Sequence, residues 1–358
     1  MKKEILLSYF PKLTPKRVRE ILAIFKDLEN FWTAEFDELK KLLWDETLIN
    51  EFLNWRDRVN EKEIAHHLSS HQIEAIGISE PSYPEYLRTI FDPPLCLFIR
   101  GEHPTFNNPI AFVGARNATP YGKQATEEII RAFASHEIEI ISGLAFGIDA
   151  CAHEIALKYG LRTYAVLGSG VDPASVFPGS NRNLSERIIS AHGALISEYP
   201  PGTLPTKYSF PLRNRIIAGL ARGIVIVEAT ADSGSLITAN YALDNAREVF
   251  AVPGNIFSPS SIGTNDLLKA GAHPCTKASD ILETLSIRTI LQQKKMDLPN
   301  NTDPIDSKIL AVLSKLPKNI NKIVVETDLP VATVGTHLTI LELQGAIKNL
   351  GAKNYILA

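Results

Sequence analysis

The sequence predicts an α/β protein built on a doubly wound, mostly parallel sheet, with a small helical domain before it and a winged helix after it. Three patterns predict this architecture. Between residues 110 and 270, short apolar runs alternate with amphipathic segments, as in a parallel sheet covered by helices. Apolar residues recur at helical spacing over the first 70 residues, and three short helical patterns followed by a hairpin pattern come after residue 305.

The bulk composition narrows the class of protein. The chain has 358 residues, 45% hydrophobic and 22% charged, which suffices for two or three domains with at least one full core. A net charge of −3 means that any nucleic-acid surface must be local. Three scattered cysteines predict neither a disulfide framework nor a metal site. The absence of a signal-peptide pattern and of a membrane-spanning run predicts a cytoplasmic protein without membrane contact.

The first predicted domain covers residues 1–70. Leu6, Phe10, Val18 and Ile21 recur at helical spacing, and three tryptophans are available to fill a small core. Thr14-Pro15 is a typical helix start, with a capping residue before a first-turn proline. We expect short packed helices here.

The second predicted domain covers residues 71–287 and holds the sheet. Two edge strands are expected first, at Ile73–Ile78 and Leu95–Ile99. The central strands are predicted at Ile110–Val113, Ile138–Ile141, Thr163–Leu167, Ala194–Ser197, Ile224–Val227 and Val249–Val252. The helices between them are predicted near 122–135, 148–159, 181–191, 213–221, 235–246 and 263–270.

A polar stretch at 288–304 is typical of a linker, and a third domain is predicted at 305–358. Its helices are expected near 305–315, 320–327 and 331–343, with a hairpin of Ala346–Lys348 and Lys353–Leu357. The helix from Val331 would be the recognition helix of a winged helix. It carries Thr333, Thr336, His337 and Thr339 but no Arg or Lys, which favours protein contact or regulation over the reading of a duplex.

Residues 205–239 form the most informative segment of the chain. A basic stretch from Lys207 to Arg215 leads into an apolar helix, then a strand, then the Ser-Gly-Ser turn that opens another helix. In a parallel sheet, loops at the carboxyl ends of the strands surround the ligand crevice, and helix N-termini there direct free N–H groups at anions. The segment therefore predicts a site for a phosphate-bearing ligand, although such charges on their own are also typical of a solvated surface.

Two further motifs end strands at the same edge. VGAR at 113–116 brings Gly114 and Arg116, and an arginine there can pair with a phosphate and stack on a base, or form an ion pair with a neighbouring acid. SGLAFGID at 142–149 is a glycine-rich turn whose Ser142, Gly143 and Gly147 suit phosphate binding. Its Asp149 and His153 have the spacing of an acid–base pair, but a structural role is favoured.

The remaining candidates follow the next strands. Arg182 is either a second phosphate contact or an exposed charge at a helix start, and Lys207 can reach a backbone phosphate. Phe210 either stacks on a base or anchors its loop in the core. Arg213 and Arg215 cannot share a helix face, and we expect Arg213 to face the crevice and Arg215 to form an inward ion pair. The SGSLITA turn adds Ser233, Gly234, Ser235 and Thr238, and we expect an arginine to hold the preceding Glu228.

Several of these motifs, in this order, resemble the DprA (Smf) family of bacterial DNA-processing proteins over roughly residues 80 to 285. They are VGARNATPYG at 113–122, SGLAFGIDACAH at 142–153, SEYPPGTLP at 197–205, FPLRNRIIAG at 210–219, SGSLITA at 233–239 and REVFAVPG at 247–254. The resemblance implies an extended Rossmann-like fold behind a SAM-like or helix-hairpin-helix-like domain. It implies a cofactor-free, non-enzymatic homodimer that binds single-stranded DNA without sequence preference, protects incoming transforming DNA and helps to load RecA.

Two other functions stay open. A nucleotide-binding enzyme related to the phosphoribohydrolases would need a P-G-G-x-G-T-x-x-E segment, and VPGNIF at 252–257 does not match it. A nucleotide-sensing regulator with a winged-helix output fits the domain order but not the basic loop. Incubation with nucleoside monophosphates tests the enzyme, and titration with a labelled oligothymidine tests the regulator.

Overall fold

The computed structural model describes residues 1–287, 303–314, 317–343, 346–349, 351 and 353–357. The chain forms two compact units, Met1–Ile290 and Leu291–Ala358. The first unit contains both the predicted helical domain and the predicted Rossmann-like domain. Residues 288–302 of the predicted linker lie outside the described residues.

A nine-stranded sheet organises the first unit, in the spatial order β1-β2-β6-β5-β4-β3-β7-β8-β9. β3 to β9 run parallel, while β2 pairs antiparallel with both β1 and β6. The strands are β1 Ile73–Gly77, β2 Cys96–Gly101, β3 Pro109–Val113, β4 Glu139–Ser142, β5 Thr163–Val166, β6 Ala194–Ser197, β7 Gly223–Ile226, β8 Glu248–Ala251 and β9 His273–Pro274. The predicted doubly wound, Rossmann-like sheet is confirmed.

Helices cover both faces of this sheet, and each face has its own core. Along β3, Ala111 and Val113 join one core while Ile110 and Phe112 join the other, as the two-residue period of a strand requires. The helices are α7 Glu85–Arg88, α8 Pro120–Ala132, α9 Ile148–Lys158, α10 Arg182–Ser190, α11 Ser209–Leu220, α12 Gly234–Asp244, α13 Ile262–Lys269 and α14 Ala278–Thr284.

The chain reverses its direction of travel across the sheet between β3 and β7. From β3 to β6, each successive strand is added towards the edge of the sheet that holds β1. Strands β7 to β9 are added towards the opposite edge. Such a switch point opens a crevice at the carboxyl ends of the strands, which is where open α/β sheets bind ligands.

Short helices precede the sheet and share an aromatic core. Phe31 stacks on Phe52 with ring centroids 4.7 Å apart, and both rings are fully buried. Thr14 accepts a hydrogen bond from Arg17 N and so caps the second helix, as the Thr-Pro pair predicts. The helices are α1 Lys3–Ser8, α2 Pro15–Ile24, α3 Leu28–Thr33, α4 Phe36–Leu39, α5 Glu46–Arg56 and α6 Glu61–Ser70.

The second unit is a winged helix, as predicted. Its elements are α15 Pro304–Val312, β10 Lys318–Asn319, α16 Ile320–Thr327, α17 Val331–Leu343, β11 Ile347–Asn349 and β12 Asn354–Leu357. On α17, the hydroxyls of Thr336 and Thr339 donate to carbonyls of their own helix, and His337 Nδ1 lies 2.7 Å from Asp306 Oδ1. These side chains are therefore engaged within the unit.

One predicted boundary is wrong in a way that matters for the site. The helix expected at 213–221 begins at Ser209 instead. Thr206 and Ser209 exchange side-chain and backbone hydrogen bonds of 2.9 and 3.1 Å, which starts the helix early. Pro211 is tolerated because a first-turn residue needs no N–H donor. Phe210, Arg213 and Arg215 therefore all lie on α11.

None of the helices in the described part of the chain is long and apolar enough to cross a bilayer.

Candidate nucleic-acid interface

The loops that follow β3, β4 and β5 meet the start of α11 at the carboxyl ends of these strands, and we call the surface that they form the crevice. Gly147, in the loop after β4, lies against the Ala115 and Arg116 carbonyls. Its φ of +79° and this close approach both exclude a side chain. Asn181, just before α10, donates to the Leu144 carbonyl at 2.9 Å. These contacts hold the three loops together as one surface.

Arg116 occupies the exposed mouth of the crevice. Its guanidinium carbon lies 5.9 Å from the centre of the Phe210 ring, and that ring lies 5.7 Å from the ring of Phe177. Within the described residues, no carboxylate forms an ion pair with Arg116. An exposed, unpaired guanidinium over an aromatic ring can pair with a phosphate and stack on a base.

Arg213 does not face the crevice, and this corrects the expectation from sequence. The residue is only 4% exposed, and its guanidinium donates to the carbonyls of Gly143 (2.7 Å) and Val166. Burial lowers the pKa of Arg213 to about 10, a shift that Asp149 opposes and Arg116 reinforces. Arg213 thus links the ends of β4 and β5 through hydrogen bonds beneath the crevice. A β-carbon on Gly143 would lie 2.5 Å from this guanidinium, so a side chain there would displace it from its carbonyl acceptors.

Asp149 and His153 are buried structural residues, as favoured from sequence. Asp149 accepts a hydrogen bond from Gly143 N at 3.1 Å, while His153 Nδ1 contacts the Thr163 hydroxyl at 2.7 Å. Burial raises the pKa of Asp149, against the attraction of Arg213. Burial lowers the pKa of His153 to about 3, and Arg213 acts in the same direction. The histidine is therefore neutral at physiological pH.

The other candidates in the loops after β3 and β4 have inward roles. Ser142 is fully buried and donates to the Phe112 carbonyl at 2.6 Å, and the Gly143 amide is taken by Asp149. Gly114 lies against Ile148 of α9. These residues form the buried base of the crevice. Arg116 is the exposed side chain above them.

Two further cations are exposed near the crevice. Lys207 lies three residues before Phe210, with its Nζ 4.9 Å from the centre of the Tyr208 ring. Arg182 begins α10 and donates to the Ala174 carbonyl at 3.0 Å. The structure thus brings Arg116 to the segment that carries Lys207, and Arg182 to the loop that carries Phe177.

The Ser-Gly-Ser turn lies beside α11, because Asn214 donates to the Gly234 carbonyl at 3.4 Å. Ser233 caps α12, and its hydroxyl lies 2.7 Å from the hydroxyl of Ser235. Gly234 is exposed at this helix start, whereas Thr238 is only 1% exposed and faces the core. The exposed first turn, rather than Thr238, is the part that can meet an anion.

Glu228 is held by hydroxyls and an amide, so the expectation that an arginine holds it is wrong. Thr119 donates to it through its backbone N–H at 2.9 Å and its hydroxyl at 2.5 Å, and Ser260 donates at 3.3 Å.

Arg215 instead pairs with Glu198 at 2.6 Å, with side chains 4% and 16% exposed. The expectation that Arg215 forms an inward ion pair is confirmed.

Sequence reasoning named Phe210 but missed three other aromatic side chains around the crevice. Phe146, Phe177 and Tyr208 are 50%, 48% and 67% exposed, although large aromatic side chains are usually buried. Each lies in a loop at this edge, among glycine, proline and serine. An aromatic residue in a loop of this composition was the signal that could have identified them, because the local turn structure does not require one.

The described residues include no cluster of three or more His, Cys, Asp or Glu suited to a metal ion.

Comparison with family models gives two matches. Residues 74–286 match the family of DNA recombination-mediator protein A, and residues 293–353 match the DprA winged helix domain. Together these matches cover nearly all of the sheet and most of the C-terminal unit.

Individual relatives agree with the family models. A DNA processing protein DprA of Bacillus subtilis is 41% identical over 220 residues, 61% of this chain and 73% of the relative. Protein Smf of Escherichia coli is 36% identical over 309 residues, 84% of this chain and 78% of the relative.

Two solved structures are similar in fold and sequence. DNA processing protein A from Streptococcus pneumoniae superposes with a TM-score of 0.67 at 32% identity, covering 79% of this chain and 98% of that one. DNA processing protein A from Helicobacter pylori, described for its single-stranded DNA binding mode, gives a TM-score of 0.54 at 30% identity. That match covers 61% of this chain and 97% of the other.

Proposed function

The chain belongs to the DNA recombination-mediator protein A family, and on that premise we propose that it binds single-stranded DNA in the crevice at the carboxyl ends of β3, β4 and β5. The observation that carries the proposal is Arg116, exposed and unpaired among the described residues, above the ring of Phe210. A cation beside two aromatic rings that contact each other suits both the phosphates and the unpaired bases of a single strand.

Base stacking supports a single strand over a duplex. Phe210 lies against Phe177, and a ring can stack only on a base that is not already enclosed in a duplex. Stacking tolerates every base because each has a π-face. We therefore propose binding without strong sequence preference.

The cations supply the affinity for the backbone. We propose that Arg116 and Lys207 contact phosphates directly, and that Arg182 and the exposed start of α12 (Ser233 to Ser235) extend the path of the strand. Arg213, Ser142, Gly143 and Gly147 would support the crevice from below without touching the strand. The proposal is for binding alone, with no chemical step on the DNA.

The test is fluorescence anisotropy with a labelled oligothymidine. Arg116→Ala and Lys207→Ala should each weaken binding by about 1–3 kcal/mol, which is about fivefold to more than a hundredfold. Arg131→Ala is the matched control, since Arg131 is also exposed but pairs with Glu128 on α8. Normal binding by both crevice variants, with unchanged melting, would refute the site.

Two partners complete the proposal and rest on the family. We propose a cytoplasmic homodimer, in which one strand spans two crevices and gains avidity, and a RecA-type recombinase that is loaded onto the protected strand. Light scattering should give twice the monomer mass. The protein should shield a single strand from nuclease and speed filament assembly on it; a monomer, or a protein without effect on RecA, would contradict these proposals.

A further inference from the structure

An open groove lies on the N-terminal helices, between α2 and the start of α5. Its volume is about 630 Å³, within the range of pockets that bind ligands. Its walls come from α2, from the turn Lys40–Leu42 with the residues that follow it, and from the first turn of α5. All of its lining residues lie between positions 14 and 48, before the first strand of the sheet. We call this surface the α2–α5 groove.

The floor of the groove is apolar and continuous with the core beneath it. Leu42 and Leu48 line it and are only 5% and 4% exposed. Two further apolar residues of the lining are exposed instead, Ile24 by 46% and Leu43 by 92%. Single exposed apolar residues are ordinary, but exposed ones that share a groove with an apolar floor are typical of an interaction surface.

Leu43 also has a backbone conformation that its side chain disfavours. Its φ of 55° and ψ of 25° lie in the left-handed region, where the turn Lys40–Leu42 ends. Glycine or asparagine usually occupies such a position, because a β-carbon there is strained. Leu43 is therefore strained without burying its side chain, so the fold gains nothing from a leucine here. A partner that covers Leu43 would explain the residue.

Both carboxylates that line the groove are engaged by the protein itself. Glu20 accepts a hydrogen bond from the Trp44 indole N–H at 2.9 Å, and its other oxygen lies 3.8 Å from Lys16 Nζ. Asp45 accepts from Leu48 N at 2.7 Å and so caps α5. These bonds hold the indole ring and the start of α5 in place as walls of the groove.

The cations of the lining face solvent. The Lys16 side chain is 79% exposed, and the Arg17 guanidinium lies 5.9 Å from the centre of the Trp44 ring. Lys41 is exposed, and among the described residues no carboxylate pairs with it, whereas Lys40 beside it has two acidic partners. The charge that the groove offers to a ligand is therefore positive, above an apolar floor.

We propose that the α2–α5 groove binds an acidic, amphipathic helical segment of a partner protein. Its apolar face would cover Ile24 and Leu43, and its carboxylates would meet Lys16 and Lys41. A helix that lays its apolar face into a groove is a recurrent mode of peptide recognition, and opposite charges at the rim set the choice of partner. A nucleic-acid backbone would match the cations but brings no large apolar group to cover Leu43.

The test uses the full-length protein and three synthetic peptides of about 14 residues, long enough for nearly four helical turns. The first has Leu and Phe at the i, i+3, i+4 and i+7 positions of a helix and Asp or Glu elsewhere. The second replaces the acids with Lys, and the third replaces the apolar residues with Ser. In fluorescence anisotropy the first should bind with a dissociation constant on the order of 10–100 µM. The other two should bind at least about tenfold more weakly.

Variants of the groove separate binding from folding. Leu43→Gly removes the exposed side chain and relieves the strained residue, so it should melt at or above the wild-type temperature. It should nevertheless bind the acidic peptide at least about tenfold more weakly. Lys41→Glu should weaken binding about tenfold through repulsion. The matched control is Lys62→Glu, which changes an exposed lysine on α6 outside the groove and should bind the peptide like the wild type. All three variants should bind oligothymidine normally.

Each contrary result would overturn the proposal in a different way. No saturable binding of the acidic peptide, or equal binding of the lysine peptide, would exclude an acidic partner. A Leu43→Gly protein that melts well below the wild type would show that Leu43 serves the fold. Unchanged peptide affinity in both groove variants would place the peptide elsewhere on the protein. Loss of oligothymidine affinity in Lys41→Glu, with no peptide bound by the wild type, would assign the groove to nucleic acid.

Discussion

The buried pair of Arg215 and Glu198 offers a direct test of how α11 is held. The ion-pair distance is 2.6 Å, and the side chains are 4% and 16% exposed. Removing one partner of a buried pair leaves an uncompensated charge, which typically costs about 3–5 kcal/mol. Arg215→Met is the cleanest change, because it keeps an apolar stem of similar length.

The expected loss in melting temperature follows from the size of the first unit. A change of 1 kcal/mol shifts the melting temperature of a domain of this size by about 2 °C or slightly more. Arg215→Met should therefore melt on the order of 6–10 °C below the wild-type protein. The double variant Arg215→Met/Glu198→Met removes both charges and should recover most of that loss, since apolar replacement of a buried pair is often neutral.

The assay is thermal and urea unfolding of four proteins, combined as a double-mutant cycle: the wild type, Arg215→Met, Glu198→Met and the double variant. All four proteins should bind oligothymidine when folded, because Arg215 does not face the crevice. A single variant that melts like the wild type would show that the pair is not structural. A double variant as unstable as the single one would show that the unpaired charge is not the cause.

Three further predictions follow from the crevice and its support. Phe210→Ala and Phe177→Ala should each weaken single-strand binding by about 1–3 kcal/mol with little change in melting, measured by anisotropy and calorimetry; unaltered affinity in both would exclude stacking. His153 has a pKa of about 3 in the folded protein against 6.5 unfolded, so its stability contribution is present above pH 6.5 and is lost as the pH falls. Between pH 6.5 and 5 that loss should reach about 2 kcal/mol and should shrink in His153→Gln, as urea titrations can measure. A chain ending at Ile290 should keep its single-strand affinity in gel shifts, and a folded truncation that no longer binds would place the winged helix in the site.

The sheet could be predicted from sequence because its signal is local. A strand buried on both faces is a short apolar run, so Ala194–Ser197 was predicted with the bounds observed. The exposed position of Arg116 also followed from its place at the end of a strand.

Long-range contacts explain what the sequence could not show. Arg213 is buried because its acceptors are carbonyls 47 and 70 residues away, at the ends of β5 and β4. Glu228 finds its donor in Thr119, 109 residues earlier, and not in a neighbouring arginine. Phe177 contacts the ring of Phe210, and α10 and β6 lie between the two residues in the chain. In each case the partner, and not the residue's own neighbours in sequence, decides which way the side chain faces.

The salt dependence of binding tests the central claim most directly. If Arg116 and Lys207 neutralise phosphates of a single strand, the logarithm of the affinity should fall linearly with the logarithm of salt concentration, by about 0.7 for each contact. Arg116→Ala should therefore give a slope shallower than that of the wild-type protein by about 0.7, and duplex of equal length should bind more weakly throughout. An unchanged slope in Arg116→Ala, or tighter binding of the duplex, would contradict the account.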